Sequence, residues 1–151
     1  MHRKMGVPVN VGVGLYVKNS AAAVPFYMQA FGLELGYHVK NDDGSFFHSE
    51  LIKNGEPFVC VVESRDDVPR NNIVNLGVNL PDAAAVQRAF QCLADGGRVV
   101  LPLGSLPWSA CCAEVVDRFG VWWYLTVSQC SPGDDFDPDA FNQQTPLPPA
   151  E

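Results

Sequence analysis

The residues of this chain that could carry acid/base chemistry lie close together at His48 and Glu50. They are two positions apart in an apolar run, so on a β-strand both side chains would share one face with Phe46. An imidazole titrates near neutral pH and a carboxylate can orient it, so the pair could act as acid and base or hold part of a metal site. A strand histidine with a hydrogen-bond partner and no chemistry is the third interpretation, and the residues alone leave all three open.

The chain contains five cysteines, and their spacing matches no common metal or redox motif. No Cys-x-x-Cys pair occurs, and the adjacent residues Cys111 and Cys112 lack zinc-finger spacing. We interpret the cysteines as reduced, buried thiols that act as small hydrophobic residues. A reactive thiol at Cys111 or Cys112 is the alternative, but no neighbouring base supports it. The other three cysteines are Cys60, Cys92 and Cys130.

Composition and charge exclude several classes of protein. The 151 residues carry a formal net charge of −7, and five acidic residues but no Lys or Arg follow Cys130. The chain lacks the basic footprint of a nucleic-acid-binding protein, so we expect no nucleic-acid partner. No apolar stretch is long enough to span a membrane, and no signal-peptide core follows the basic residues at 2–4. We therefore expect a cytoplasmic protein without a membrane segment.

The first predicted strand has two unlike faces. Residues 8–17 alternate, so that one face is nearly all apolar and the other is nearly bare of side chains. Gly12 and Gly14 lie on the bare face, which allows another group to approach the backbone closely, and we expect that face to border a cavity. The apolar face should pack against a helix; its residues are Val11, Val13, Leu15 and Val17.

This strand begins a β-α-β-β-β unit that the chain then repeats. In the first unit, a helix over 20–31 with Pro25 near its first turn precedes strands at 33–40, 46–53 and 57–63. In the second, a strand at 72–80 and a helix over 82–93 precede strands at 98–103, 112–116 and 121–127. The polar segment 64–72 is the predicted linker. Ala21-Ala22-Ala23-Val24 recurs as Ala83-Ala84-Ala85-Val86, which supports the repeat.

The last two predicted strands form a β-hairpin through a turn at 117–120. The aspartate of this turn can bond its own backbone, and the glycine can adopt the positive φ that a short hairpin loop requires. In the strand that follows, Trp122 and Tyr124 share one face, and Trp123 and Leu125 share the other. We expect Trp123 to be a core residue and Trp122 and Tyr124 to face the cavity.

Four stretches carry a resemblance to a known family. They are Val24-Pro25-Phe26-Tyr27 with Phe31-Gly32-Leu33-Glu34, Phe46-Phe47-His48-Ser49-Glu50-Leu51, Leu93-Ala94-Asp95-Gly96-Gly97, and Asp117-Arg118-Phe119-Gly120-Val121-Trp122. In this order, and with Trp108 between the last two, they resemble the vicinal-oxygen-chelate superfamily, which includes glyoxalase I, bleomycin-resistance proteins and extradiol dioxygenases. The most similar branch is often labelled 3-demethylubiquinone methyltransferase-like.

The resemblance implies an α+β fold of two β-α-β-β-β modules that form a curved sheet around a pocket, the glyoxalase/bleomycin resistance/dihydroxybiphenyl dioxygenase fold. The modules would span residues 8–63 and 72–128, and an acidic, proline-rich tail would follow at 131–151, with Phe136 and Phe141 as apolar anchors. It also implies a homodimer, since relatives commonly build or complete their sheets across a two-fold axis. The methyltransferase label has no physical support, because the chain has no Gly-rich turn between a strand and a helix to hold an adenosyl cofactor.

The usual chemistry of the superfamily implies a divalent metal held by the first and last strands of each module. Carried over to this chain, the ligand positions fall at Gly12, at Cys60 or Val61, at Val74 or Asn75, and at Tyr124. These residues do not offer the several oxygen or nitrogen donors that such an ion needs. We therefore predict no metal and no other cofactor at this position.

Three functions remain open. The first, which we favour, is a module that binds a small organic molecule in a metal-free pocket. The second is an enzyme: either a metal-dependent lyase, isomerase or dioxygenase with a displaced site around His48, or an acid/base enzyme that uses His48 and Glu50. The third is a scaffold whose own aromatic rings fill the pocket. The residues predicted to wall the pocket are Tyr16, His48, Trp108, Trp122 and Tyr124.

Overall fold

The computed structural model describes residues 10–65, 74–128 and 134–144. Its first module consists of β1 (Gly14–Val17), α1 (Ser20–Phe31), β2 (Glu34–Lys40), β3 (Phe46–Lys53) and β4 (Glu56–Glu63). The four strands form one mixed sheet, which we call the first sheet, in the order β1-β4-β3-β2. In this sheet β1 and β4 are parallel, and the other neighbours are antiparallel.

The second module repeats this arrangement with β5 (Leu76–Asn79), α2 (Ala83–Ala94), β6 (Arg98–Leu106), β7 (Ser109–Val116) and β8 (Trp122–Thr126). Its strands form the second sheet in the order β5-β8-β7-β6, with β5 and β8 parallel. The predicted α+β fold with two β-α-β-β-β modules is therefore confirmed. A short helix, α3 (Pro138–Gln144), follows in the tail. Within the described residues, no helix combines the length and the apolar character needed to cross a membrane.

One hydrophobic core joins the two modules through their helices. α1 packs against α2, and the ring of Trp123 on β8 lies 5.6 Å from that of Tyr27 and 5.0 Å from that of Phe31 on α1. Trp123 is buried whereas Trp122 and Tyr124 are half-buried, which confirms the predicted alternation along β8. We call the face of each sheet that points away from this core its open face.

The turn at 117–120 connects the modules through a buried carboxylate. Asp117 Oδ2 accepts hydrogen bonds from Tyr27 Oη at 2.7 Å and from Trp123 Nε1 at 2.9 Å. Asp117 Oδ1 accepts from the backbone N–H groups of Phe119 and Val121 at 2.9 and 3.0 Å. One side chain therefore fixes the first helix, the last strand and the turn between β7 and β8.

The first strand is shorter than predicted, and the prediction for Val11 was wrong. β1 begins at Gly14, and Val11 is 89% exposed instead of facing a helix. Leu15 and Val17 are buried, and Val13 is half-buried against the core, as expected. The alternating valines begin before the residues of β1 that pair with β4. Alternation shows which face a side chain would take on a strand, but it does not show where the partner strand ends.

A β-bulge in β3 changes the predicted face of Phe46. Val39 pairs with His48 and Lys40 with Phe46, so Phe47 is the additional residue in β3. Such an insertion reverses the alternation of side chains. Phe46 is buried on the helix side, whereas His48 and Glu50 lie on the open face. The expectation that Phe46 shares a face with His48 was therefore wrong, and the shared face of His48 and Glu50 stands.

Two further boundaries differ from prediction. Pro25 lies in the second turn of α1, because the helix starts at Ser20, and its ring leaves one carbonyl of the preceding turn without its usual helical donor. β6 continues to Leu106 and β7 starts at Ser109, so Trp108 lies in a two-residue turn at the end of a long hairpin. Pro102 and Gly104 lie within β6, and the β6–β7 pairing shows register shifts around them.

Candidate functional site

The open face of the first sheet carries the predicted acid/base pair. His48 Nε2 lies 3.6 Å from Glu50 Oε2, and the two side chains are 34% and 38% exposed. This distance is too long for a hydrogen bond, but it places an imidazole beside a carboxylate at the surface. A cavity of about 440 Å³ next to the pair is lined by both Tyr16 and His48. The structure therefore brings two of the predicted pocket residues together on this face.

Cys60 lies beside Glu50 on the same face. The two residues are cross-strand partners in β3 and β4, and Val61 next to Cys60 is fully buried in the core. Of the two positions considered for a metal ligand on β4, the open-face residue is therefore Cys60. Burial raises the pKa of the Cys60 thiol, and the negative charge of Glu50 raises it further, so the thiol is protonated at neutral pH.

Glu63, the carboxylate closest to that position in sequence, has a different role at the start of α1. Its Oε1 accepts from the Ser20 backbone N–H and from Ser20 Oγ, both at 2.8 Å, and its Oε2 accepts from the Asn19 N–H at 3.1 Å. Burial alone would raise the pKa of Glu63, but these hydrogen bonds outweigh that effect and lower it. A carboxylate from β4 thus caps the helix, a position at which negative charge is stabilised.

The open face of the second sheet centres on a residue that the sequence analysis missed. Glu114 on β7 is the cross-strand partner of Tyr124 on β8. Its Oε1 accepts hydrogen bonds from Trp122 Nε1 at 2.9 Å and from Asn75 Nδ2 at 3.3 Å. The signal that could have found it is the alternation of β7 against β8, which places Glu114 on the same face as Tyr124. These contacts also show that, of Val74 and Asn75, it is Asn75 that reaches the open face.

One end of this face is closed by the β6–β7 turn. Trp108 Nε1 donates a hydrogen bond of 3.0 Å to Tyr124 Oη. Cys112 and Thr126, cross-strand partners on the open face, are each 1% exposed. Burial raises the pKa of the Tyr124 phenol, an effect that the hydrogen bond from Trp108 only partly offsets. The phenol is therefore protonated at neutral pH and oriented by the indole.

The tail packs on the outside of the same turn. Phe136 and Phe141 lie 6.0 and 5.4 Å from the Trp108 ring and 5.9 Å from each other, measured between centroids. Both residues had been singled out as apolar anchors of the tail. The rings of Trp108, Phe136 and Phe141 thus form one cluster that joins the tail to this turn.

The five predicted pocket residues fall into two sets on different sheets. Tyr16 and His48 line a cavity on the first sheet, whereas Trp108 and Tyr124 are hydrogen-bonded on the second. Trp122 belongs to the second set through its bond to Glu114. The members of each set lie close together. Their described contacts connect residues of one module only.

The donors at the four superfamily metal positions do not fit a divalent ion. Gly12 has no side chain, Cys60 and Tyr124 are held protonated by burial, and Asn75 uses its amide N–H on Glu114. A stable site needs several convergent donors in the deprotonated form. In the part of the chain that the structure describes, no group of three or more His, Cys, Asp or Glu side chains is placed to hold a metal.

Of the five cysteines, four are described and all four are free thiols; Cys130 lies outside the described residues. Cys111 and Cys112 are buried, as interpreted from the sequence, whereas Cys60 and Cys92 are only partly buried. Burial raises the pKa of the Cys92 and Cys112 thiols. These thiols therefore have low nucleophilicity at neutral pH.

The fold and its open faces define a class of two-module α+β proteins in which each sheet presents polar and aromatic side chains opposite its helix. The family model of the Glyoxalase/Bleomycin resistance protein/Dioxygenase superfamily matches residues 11–125, and the chain belongs to this superfamily. Among curated protein sequences, none matches the chain significantly.

Solved structures share the fold at low sequence identity. The PhnB protein from Bacillus cereus is 23% identical, with a TM-score of 0.69 over 80% of this chain and 100% of its own. A protein from Pseudomonas aeruginosa is 25% identical, with a TM-score of 0.67 over 82% and 100% of the two chains. The fosfomycin resistance protein FosX from Listeria monocytogenes, solved with manganese(II) and sulfate, is 13% identical, with a TM-score of 0.59 over 82% and 92%.

Proposed function

We propose that this protein binds a small, planar organic molecule in a pocket that uses no metal. The observation that carries the proposal is Tyr124, which stands at the last metal position as a protonated phenol, hydrogen-bonded to Trp108. A phenol in this state is a poor ligand for a divalent ion, whereas rings with polar tips are common in the walls of organic ligand sites. The proposed walls are Tyr16, His48, Trp108, Trp122 and Tyr124.

The proposal places both sets of wall residues in one pocket through a homodimer. The open face of the first sheet exposes large apolar side chains in the single chain: Tyr37 is 67%, Phe47 62% and Tyr16 60% exposed. An exposed cluster of this kind usually marks an interaction surface. A two-fold axis that set this face against the second sheet of another copy would cover it and bring Tyr16 and His48 opposite Tyr124.

Metal analysis and ligand binding of the purified full-length chain test the proposal together. After incubation with zinc, nickel, iron or manganese and desalting, we expect far less than one ion per chain. A ligand found by thermal-shift screening or extracted from the purified protein should bind equally with and without EDTA. Tyr124→Ala should weaken that binding without unfolding the protein, while Tyr124→Phe, which keeps the ring, should retain most of it.

Metal retention would support an enzyme instead of a metal-free binding module. If about one metal per chain were retained and His48→Ala removed it, the site would be a displaced metal centre of a lyase, isomerase or dioxygenase. If wild type and Tyr124→Ala bound the ligand equally well, the proposed pocket would be in the wrong place.

An acid/base enzyme is the second candidate, and the proximity of His48 Nε2 and Glu50 Oε2 at 3.6 Å favours it. Such pairs are often long in the absence of substrate and tighten when it binds. The ligand recovered from the protein would be returned to wild type and to Glu50→Gln, and its mass and isomer composition followed over time. Conversion by wild type but not by Glu50→Gln would establish catalysis, whereas an unchanged ligand in both would leave binding as the function.

A further inference from the structure

The Glu114 carboxylate is held in one orientation on the open face of the second sheet. Both of its described hydrogen bonds, from Trp122 Nε1 at 2.9 Å and Asn75 Nδ2 at 3.3 Å, end on Oε1. Within the described residues, Oε2 accepts no hydrogen bond, and no lysine or arginine forms an ion pair with Glu114. A half-buried carboxylate is thus fixed by neutral donors at Oε1, and its Oε2 has no hydrogen-bond partner among the described residues.

Two aromatic side chains of the neighbouring strand β8 lie beside this carboxylate. Tyr124 is its direct cross-strand partner, which places the two side chains about 5 Å apart at their Cβ atoms. Trp122 approaches with the N–H edge of its indole, so the hydrogen bond engages the edge of the ring and not a face. Aromatic faces attract cations, and a charge-assisted hydrogen bond to a carboxylate is stronger than a neutral one.

We propose that the ligand carries a positively charged nitrogen, which Glu114 binds through Oε2 while the rings of Trp122 and Tyr124 flank it. This inference rests on the proposed function and names the chemical class of its ligand: a planar organic cation. An anionic ligand would be repelled by Glu114 and by a chain of formal net charge −7. A neutral ligand would leave the oriented charge without a partner.

The closed end of the face limits how such a ligand enters. Thr126 and Cys112 are 1% exposed beneath the turn that carries Trp108, so the cation cannot reach them. Glu114 and Trp122 lie further along the same strands, where the face is half-exposed. The ligand therefore approaches from the Trp122 end, and its ring system extends toward Tyr124.

Two matched probes test the charge requirement with isothermal titration calorimetry on the full-length chain at pH 8. N-methylquinolinium is a planar cation, and quinoline is its uncharged counterpart. We expect wild type to bind the cation about tenfold more tightly than quinoline, the ratio that one carboxylate contact provides. Glu114→Gln should lower affinity for the cation about tenfold and change that for quinoline less than about twofold. Glu56→Gln, which removes an exposed carboxylate at the start of β4, is the matched control and should change neither.

Each alternative result has a distinct meaning. Equal affinity of wild type for both probes would overturn the cation inference and leave the binding function standing. Equal losses in Glu114→Gln and Glu56→Gln would also overturn it, because net charge and not Glu114 would then be responsible. If neither probe bound wild type, both this inference and the proposed binding of planar molecules would fail. The wild-type comparison needs no variant, so it decides the charge preference even if Glu114→Gln does not fold.

Discussion

Replacing Asp117 should unfold the junction between the two modules. The carboxylate is 3% exposed, and the two side chains that donate to its Oδ2, Tyr27 and Trp123, are 0% and 1% exposed. Asp117→Ala removes the carboxylate oxygen that accepts from the Tyr27 hydroxyl and the Trp123 indole N–H, at a place where both side chains are buried. Each such buried donor costs about 1–3 kcal/mol. The lost bonds to the backbone of the turn add about 1 kcal/mol, because that backbone is closer to water.

The expected loss of about 3–7 kcal/mol is comparable to the whole stability of many domains. It corresponds to a fall in Tm on the order of 10–20 °C for a chain of this size. Asp117→Asn should cost less, about 2–3 kcal/mol, because the amide oxygen still accepts from the turn and the hydroxyl of Tyr27 can reverse. The indole N–H of Trp123 cannot reverse, so the asparagine variant should not reach wild-type stability.

Urea unfolding followed by far-UV circular dichroism measures these differences. In a double-mutant cycle, Asp117→Ala and Tyr27→Phe should be less than additive by about 1–2 kcal/mol, because they remove the same hydrogen bond. Asp95→Ala is the control: its carboxylate pairs with Arg118 but is 79% exposed, and its loss should cost less than about 1 kcal/mol. A stable Asp117→Ala variant that had lost ligand binding would refute the reasoning, since Asp117 would then serve the site and not the junction.

Three other predictions concern charge, assembly and thiols. Because hydrogen bonds lower the folded pKa of Glu63 below its ordinary value of 4.5 despite burial, Glu63 stabilises the fold above that pH and this contribution disappears as the pH falls. Glu63→Gln should therefore lower Tm at neutral pH, and its difference from wild type should shrink as the pH falls below 4.5; a constant difference would contradict the capping role. Phe47→Glu should convert the proposed dimer to a monomer in light scattering, and a monomeric wild type at micromolar concentration would defeat the proposal. Burial raises the pKa of the Cys92 and Cys112 thiols, so their alkylation, mapped by mass spectrometry, should be slow at pH 7 and faster as the pH rises. Fast alkylation at pH 7 would show that these thiols are accessible and ionised.

The amino-acid sequence by itself determined the order of elements and the faces of the best-patterned strands. Alternation along β8 separated Trp123 from Trp122 and Tyr124 because the side-chain period of a strand is two, whatever it packs against. The repeat of β-α-β-β-β units was readable for the same reason, since each unit has to bury one apolar face. The pairing of His48 with Glu50 was also local, and the structure keeps both on one face.

Only the tertiary structure decided which distant groups meet. The burial of Asp117 under Tyr27, the capping of α1 by Glu63 and the bonds from Trp122 and Asn75 to Glu114 join residues whose separation in sequence carries no periodic signal. The bulge at Phe47 and the exposure of Val11 depend on how far a partner strand extends, which a single strand's pattern cannot express. Local patterns follow from backbone geometry, whereas a site depends on the packing of whole modules. For that reason the fold and the face of Glu114 were readable from the sequence, and the hydrogen bonds that orient its carboxylate were not.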